Sequence, residues 1–195
     1  ITKLLWDPNT DLEQHMDDFL SGYYGKASTQ IKLYIDELHD GLLESGQGLG
    51  IFGHPSQAAE TYLSIKHLDR YDDIFDRAER AVRKDSTILE RVKIARMPLQ
   101  YARLELATRV GTGPGGMFIM NEAEQWVVDP QFPALANELV TLANKQGVTR
   151  FKEWHTTPSE YLSSLEKSWA TDMQKHQALF LSPKMEHAPS KKYAG

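Results

Sequence analysis

The residues with the clearest catalytic potential are adjacent carboxylates. Glycoside hydrolysis needs one carboxylic acid that protonates the leaving oxygen and a second carboxylate that acts as nucleophile or base. Adjacent acids occur at Asp17-Asp18, Asp36-Glu37 and Asp72-Asp73. Each pair lies on the polar face of a predicted amphipathic helix, where water keeps the pKa of a carboxyl near its ordinary value. A group that is ionised at neutral pH is a poor proton donor, so we interpret these acids as solvated surface residues.

Two glycine-rich segments have the composition of phosphate-binding loops. The segment Gly48–Gly53 matches the pattern G-x-G-x-x-G, but dinucleotide binding requires a strand before this pattern and a helix after it. Here a predicted helix precedes the segment and Pro55 follows it. The second segment, Gly111–Gly116, lacks the Gly-Lys-Ser/Thr ending of a P-loop. We interpret both segments as connectors and predict that Gly48–Gly53 binds no nucleotide.

Metal and nucleophile motifs give no site either. The chain has no cysteine, which excludes disulfides, thiolate nucleophiles and Cys-ligated zinc. None of its seven histidines stands four residues from another, and neither His-Glu-x-x-His nor Gly-x-Ser-x-Gly occurs. We therefore assign no catalytic, cofactor-binding or metal-ligating residue and expect no cofactor.

Aromatic side chains offer a weaker functional signal, since they can stack on sugar rings. Tyr23 and Tyr34 fit apolar stripes at helical spacing, so core packing is the favoured interpretation for them. Trp6 and Tyr24 fall outside such stripes, and we assign these two residues to a possible sugar-contacting rim.

The elements that carry these residues are predicted to be helices. Thr10-Asp11-Leu12-Glu13 has the pattern of a capping box, and apolar spacing behind it predicts an antiparallel helical hairpin from about Thr10 to Gly46. The hairpin is predicted to bury four side chains in its stripes, namely Met16, Phe19, Tyr34 and Leu38.

Four further helices are predicted along the rest of the chain. They begin near Ser64, Asp85, Asp129-Pro130 and Thr157-Pro158-Ser159-Glu160, and the second of them contains Pro98, where we expect a kink. Residues 47–63 are interpreted as a surface loop of undefined structure, and residues 117–128 as either short strands or loop. The predicted fold is mainly all-α, about six helices in a bundle, with little or no β-structure.

Composition narrows the classes of partner. Acidic residues outnumber basic ones, 27 to 22, and the basic residues are dispersed among acids, so we expect no binding to nucleic acid. No apolar run approaches the roughly 20 residues that span a bilayer. The first residue is Ile1, with no initiator Met and no signal pattern, and the last residues are rich in Pro and Lys, so we interpret both ends as cuts in a longer protein.

Several motifs in a fixed order resemble a known family. They begin with Leu4-Leu5-Trp6-Asp7-Pro8-Asn9-Thr10-Asp11, Asp18-Phe19 and Tyr23-Tyr24-Gly25-Lys26-Ala27, and continue with Tyr62-Leu63-Ser64, Phe75-Asp76-Arg77-Ala78-Glu79, Arg91-Val92, Ala95-Arg96, Pro98-Leu99, Tyr101-Ala102 and the tail Ser190–Gly195. This order resembles the family called domain of unknown function 4838, and a similar first segment follows the barrel of bacterial α-glucuronidases.

The resemblance implies a modular protein that acts on carbohydrate. Residues 1–9 would end a preceding glycoside-hydrolase-like barrel, residues 10–180 would form the helical domain, and residues 181–195 would lead to a β-sandwich. The parent would be exported to the periplasm or cell surface of a bacterium, with the barrel, the sandwich and a glycan as partners. Two alternatives stay open: a helical module that binds another protein, and a self-contained small hydrolase.

Overall fold

A computed structural model describes residues 5–48, 50, 53–151 and 156–181. The prediction of a mainly helical fold is confirmed. The helices and strands are α1 (Leu12–Tyr24), α2 (Ser28–Ser45), α3 (Ile65–Val82), α4 (Ser86–Val110), β1 (Phe118–Met120), β2 (Trp126–Val128), α5 (Gln131–Lys145) and α6 (Pro158–Leu181). Two short 3-10 helices, Gly25–Ala27 and Pro55–Ala58, precede α2 and α3.

The start of α1 differs from the predicted capping box. Asp11 is the N-cap, and its carboxylate accepts from the backbone N–H of Gln14. Thr10 instead donates its hydroxyl to the carbonyl of Asp7, within the preceding turn. An ionised carboxylate is the stronger acceptor for the free N–H groups at a helix start, which accounts for the shift by one residue.

The predicted capping box of α6 is confirmed. The Thr157 N–H donates to Glu160 Oε2 at 2.8 Å, and the Glu160 N–H donates to the Thr157 hydroxyl at 3.2 Å. Pro158 occupies the first helical position, where its missing N–H costs no hydrogen bond. These interactions are all local, which is why the sequence pattern predicts them well.

A first core forms where α1, α2, α3 and α4 meet. The helix α3 contributes most of it, because its stripe at helical spacing is almost completely buried. The buried side chains of α3 are Leu68, Tyr71, Ile74, Phe75, Ala78 and Val82. The ring of Tyr34 on α2 packs against Phe75, with ring centroids 4.7 Å apart.

A second core lies around the carboxyl-terminal half of α4. Phe132 and Leu139 of α5 and Tyr161, Leu165 and Trp169 of α6 are buried there. The helix α4 runs through Pro98 without ending and contributes to both cores, with Leu99 and Leu106 in the first and Leu104 and Ala107 in the second. This long helix therefore joins the two halves of the fold.

The segment left open by the sequence, residues 117–128, is a β-hairpin. The strands β1 and β2 pair antiparallel, with Phe118 opposite Val128 and Met120 opposite Trp126. Phe118 is buried in the second core, whereas Ile119 and Met120 are exposed. The hairpin thus covers one side of the second core.

Candidate interaction surface on the first helix

The most unusual surface of the described chain is an exposed apolar stripe on α1. Leu12, Met16, Phe19 and Tyr23 follow one another at spacings of four, three and four residues, so they lie on one side of the helix. All four are exposed, Leu12 to 55% and Phe19 to 57%. We call these four residues the α1 apolar face.

This exposure corrects the prediction for α1. Met16 and Phe19 were expected in the hairpin core, but both face solvent. On the α2 side, Tyr34 and Leu38 are half-buried against the first core, consistent with the predicted stripe. Leu20 is the residue of α1 that is buried in the core, whereas the apolar side of α1 that carries Met16 and Phe19 faces outward.

Contacts on its other side hold α1 in this orientation. Lys32 of α2 donates to Glu13 and Asp17 of α1, at 2.8 Å each, and these ion pairs close the seam between the two helices. Their carboxylates are well exposed, so water screens each pair and its contribution to stability is small. The pairs therefore orient α1 more than they stabilise it.

The aromatic end of the α1 apolar face is ordered by ring contacts. The rings of Phe19 and Tyr23 stack with centroids 5.5 Å apart, and Tyr24 meets Tyr23 edge-on at 4.9 Å. The Arg91 guanidinium lies 4.3 Å from the centre of the Tyr23 ring and donates to the Tyr23 carbonyl at 2.9 Å. Side chains held in one arrangement lose less entropy on binding a partner, so this end is well prepared for docking.

The two residues assigned to a sugar-contacting rim have different environments. Trp6 is 88% exposed and stands beside the equally free side chain of Leu5. Tyr24 is half-buried and packs against the first core, and this burial raises the pKa of its phenol. These environments do not test whether either residue contacts a sugar, so the sugar-contacting rim stays a prediction.

The acidic pairs considered for catalysis are largely engaged in ion pairs between helices. Asp17 binds Lys32, and Glu37 of α2 binds Arg70 of α3 at 2.6 Å. Asp72 accepts from Arg96 of α4 and forms an ion pair with Arg103 of the same helix, both at 2.7 Å. These contacts join neighbouring helices, which agrees with a structural role for the acids.

Backbone hydrogen bonds close the glycine loop Gly111–Gly116 and join it to the start of β1. The N–H groups of Gly116, Met117 and Phe118 donate to the carbonyls of Gly113, Ala107 and Gly111. A Cβ on Gly116 would stand 2.5 Å from the Gly111 oxygen, so this close backbone contact requires glycine. Parts of Gly48–Gly53, the other loop, lie outside the described residues.

One polar cluster was missed by sequence analysis. His54 accepts the Ser56 N–H at Nδ1, which leaves the proton on Nε2 to donate to Glu105 at 2.7 Å. Tyr161 donates its hydroxyl to the other oxygen of Glu105 at 2.9 Å. The cluster thus joins the Pro55–Ala58 helix, α4 and α6, and no spacing rule links residues so far apart in sequence.

This cluster has the composition of a serine hydrolase relay, with Ser56 Oγ 2.9 Å from His54 Nδ1. However, the backbone N–H of Ser56 already occupies the single lone pair of that nitrogen. The same ring caps the short Pro55–Ala58 helix. We therefore interpret the cluster as a cap and a tether between the two halves of the fold.

Alkaline unfolding is the expected consequence of the phenols near this cluster. Burial and the nearby Glu105 raise the pKa of Tyr101 to about 12, and burial raises the pKa of Tyr161 as well. The phenol of an unfolded tyrosine ionises at about pH 10. The contribution of these buried phenols to the free energy of unfolding is therefore complete below pH 10 and is lost as the pH rises towards 12. A pH titration should therefore show cooperative loss of helical circular dichroism together with late tyrosinate absorbance. Ionisation of all eight tyrosines near pH 10 in a folded chain would contradict this expectation.

Within the described parts of the chain, no helix is long and apolar enough to cross a membrane. The same residues contain no group of three or more His, Cys, Asp or Glu side chains placed to hold a metal ion.

The amino-terminal segment has a match among known families. Residues 1–36 match the family described as Domain of unknown function (DUF4838). The matched segment contains Trp6, the whole of α1 and the first half of α2, and therefore the complete α1 apolar face. No curated protein and no solved structure matches the chain. The motif resemblance beyond residue 36 stays a prediction.

Proposed function

We propose that this chain is the helical accessory domain of a modular, exported, glycoside-hydrolase-like protein, and that the α1 apolar face docks on the preceding barrel. The proposal places the parent in the periplasm or at the cell surface of a bacterium, and it assigns catalysis to the barrel. In this role the helical domain stabilises the barrel and carries Trp6 at the rim of its site.

The exposed α1 apolar face is the observation that carries the proposal. Four large apolar side chains on one helix cost free energy in water, roughly 25 cal/mol for each Å² of apolar surface that a partner does not cover. Helix faces of this kind are typical of interfaces between domains. The ordered rings of Phe19 and Tyr23 supply the rigid aromatic anchors that such interfaces use.

The position of this face favours the preceding barrel as its occupant. The face lies within residues 1–36, the segment that matches the family, and the motif resemblance implies a barrel just before this segment. A surface for an unrelated protein partner needs no such proximity. The helical interaction module is therefore the second candidate, with the same face serving a separate protein.

The proposal is tested by placing a charge on the face. We expect Phe19→Asp to change the free energy of unfolding of the chain alone by less than about 1 kcal/mol, because Phe19 is exposed there. In the full-length protein the same change buries an unpaired carboxylate at the domain interface, and we expect a loss of about 2–4 kcal/mol. Denaturant unfolding of both forms measures the difference.

Leu43→Asp is the matched control, since Leu43 is an exposed apolar residue of α2 outside the face. Leu43→Asp should leave the free energy of unfolding unchanged both in the chain alone and in the full-length protein. If Phe19→Asp also leaves the full-length protein unchanged, the barrel does not cover α1 and the docking proposal is wrong. If Phe19→Asp instead abolishes binding of a separate protein to the chain, the helical interaction module becomes the favoured function.

A further inference from the structure

A cleft at one end of the first helical half combines a well-formed cavity with an unusual charge. It lies between the α1–α2 link and the α3–α4 link and has a volume of about 490 Å³. This volume falls within the range of small-molecule sites. Its lining residues are Gly25, Lys26, Arg80, Ala81, Val82, Arg83, Lys84, Asp85 and Ile88. We call it the basic cleft.

Four cations and one carboxylate line the basic cleft, although the whole chain carries a net charge of -5. The carboxylate belongs to Asp85, which is the N-cap of α4 and accepts from the Ile88 N–H at 3.0 Å. Its charge is therefore already directed at the helix start. The cleft is left with an excess of positive charge.

The cations of the basic cleft have no acidic partner among the described residues. In the groove beside α5, by contrast, Arg96 and Arg103 are bound by carboxylates of α3. In the groove between α1 and α2, Lys32 is bound by Glu13 and Asp17. Cations without partners around a concave surface raise the local concentration of anions there.

Helix stabilisation accounts for only part of this arrangement. Basic residues near the carboxyl end of α3, Arg80 and Arg83, interact favourably with its helix dipole. Lys26 lies in the last turn of the short Gly25–Ala27 helix, where its charge has the same kind of favourable effect, yet it lines the same cleft as the cations of the α3–α4 link. Helix-end effects act on each helix separately and do not require the two links to meet, so the convergence of four cations on one cleft is a further feature of the fold.

The floor of the cleft is apolar and closely packed. Val82 is buried, and a Cβ on Gly25 would stand 2.9 Å from the Ile88 side chain. The φ of Gly25 is +51°, so glycine is favoured at this position by conformation as well as by space. An apolar floor with charges around it fits a small ligand that has a carbon skeleton and anionic substituents.

We propose that the basic cleft binds a small ligand carrying two or more oxyanion groups, such as sulfates, phosphates or carboxylates. Lys26 binds from one side and Lys84, with Arg80 and Arg83, from the other. A ligand with a single charge would leave most of these cations without a partner. The proposal does not depend on docking to a barrel, because the basic cleft lies outside the α1 apolar face.

Isothermal titration of the chain at low ionic strength tests the site with three probes: inorganic pyrophosphate, a disulfated disaccharide and the same disaccharide without sulfate. We expect the two anionic probes to bind and the neutral one to give no heat. Binding should weaken as salt shortens the Debye length to about 3 Å near 1 M. If the disulfated disaccharide binds more tightly than pyrophosphate, the cleft recognises the sugar skeleton together with its anionic groups. If the two bind equally, the cleft recognises the anionic groups only.

The double variant Lys26→Gln/Lys84→Gln should weaken binding at least about tenfold, since two charge contacts are lost. The control Lys66→Gln/Arg109→Gln removes the same charge from exposed positions at the far ends of α3 and α4. It should change affinity by less than about twofold. Equal weakening by both variants, or no binding of either anionic probe, would overturn the proposal.

Discussion

Replacing Phe75 by alanine is expected to cost about 3–5 kcal/mol of the free energy of unfolding, whereas the same change at Phe19 is expected to cost less than about 1 kcal/mol. Phe75 is fully buried in α3 and packs against Tyr34. Its removal opens a cavity in the first core and loses the transfer free energy of the ring. Phe19 is already in water, so little is lost.

Chemical denaturation of the two variants measures this difference. The two residues have the same side chain and occupy the same kind of position in an apolar helical stripe. A difference between the two losses in the free energy of unfolding therefore reports the difference in burial. Similar losses for both variants would mean that the α1 apolar face is covered in the chain alone. That result would also remove the main support for the docking proposal.

The second large effect is expected at Arg96, which is 17% exposed and joins three carboxylates of α3. Its guanidinium binds Asp72 at 2.7 Å, Asp76 at 2.8 Å and Glu79 at 3.0 Å. Arg96→Gln leaves these neighbouring negative charges on one helix face without their shared cation. We expect a loss of about 2–3 kcal/mol, below the 3–5 kcal/mol typical of fully buried pairs because the acids are partly exposed.

A double-mutant cycle with Glu79→Gln tests this explanation. Glu79 binds Arg96, whereas Asp72 keeps Arg103 as a second partner. Once Arg96 is gone, Glu79→Gln should cost nothing or stabilise the chain, which corresponds to a coupling energy of about 1–2 kcal/mol. The exposed control Arg109→Gln should stay within about 0.5 kcal/mol. Additive effects at positions 79 and 96 would show that the Glu79–Arg96 pair does not contribute to the loss at Arg96.

The candidate surfaces were only partly accessible from the sequence. The apolar spacing of α1 is plain in the sequence, and so is the absence of recognised catalytic motifs. The contacts of Glu105 with His54 and with Tyr161 join residues more than fifty positions apart. The basic cleft likewise requires Lys26 and Lys84 to meet across two links. Such groupings depend on how the helices pack, and short-range sequence patterns do not predict that packing.

The local elements of this protein follow from short-range patterns in its sequence. The helix ends at Gly25, Gly46 and Gly111 and the capping box at Thr157 depend on residues within one turn of each other. Helix packing, by contrast, buries the apolar stripe of α3 and leaves that of α1 exposed. Hydrophobic periodicity shows which side of a helix is apolar, but burial depends on whether another element covers that side.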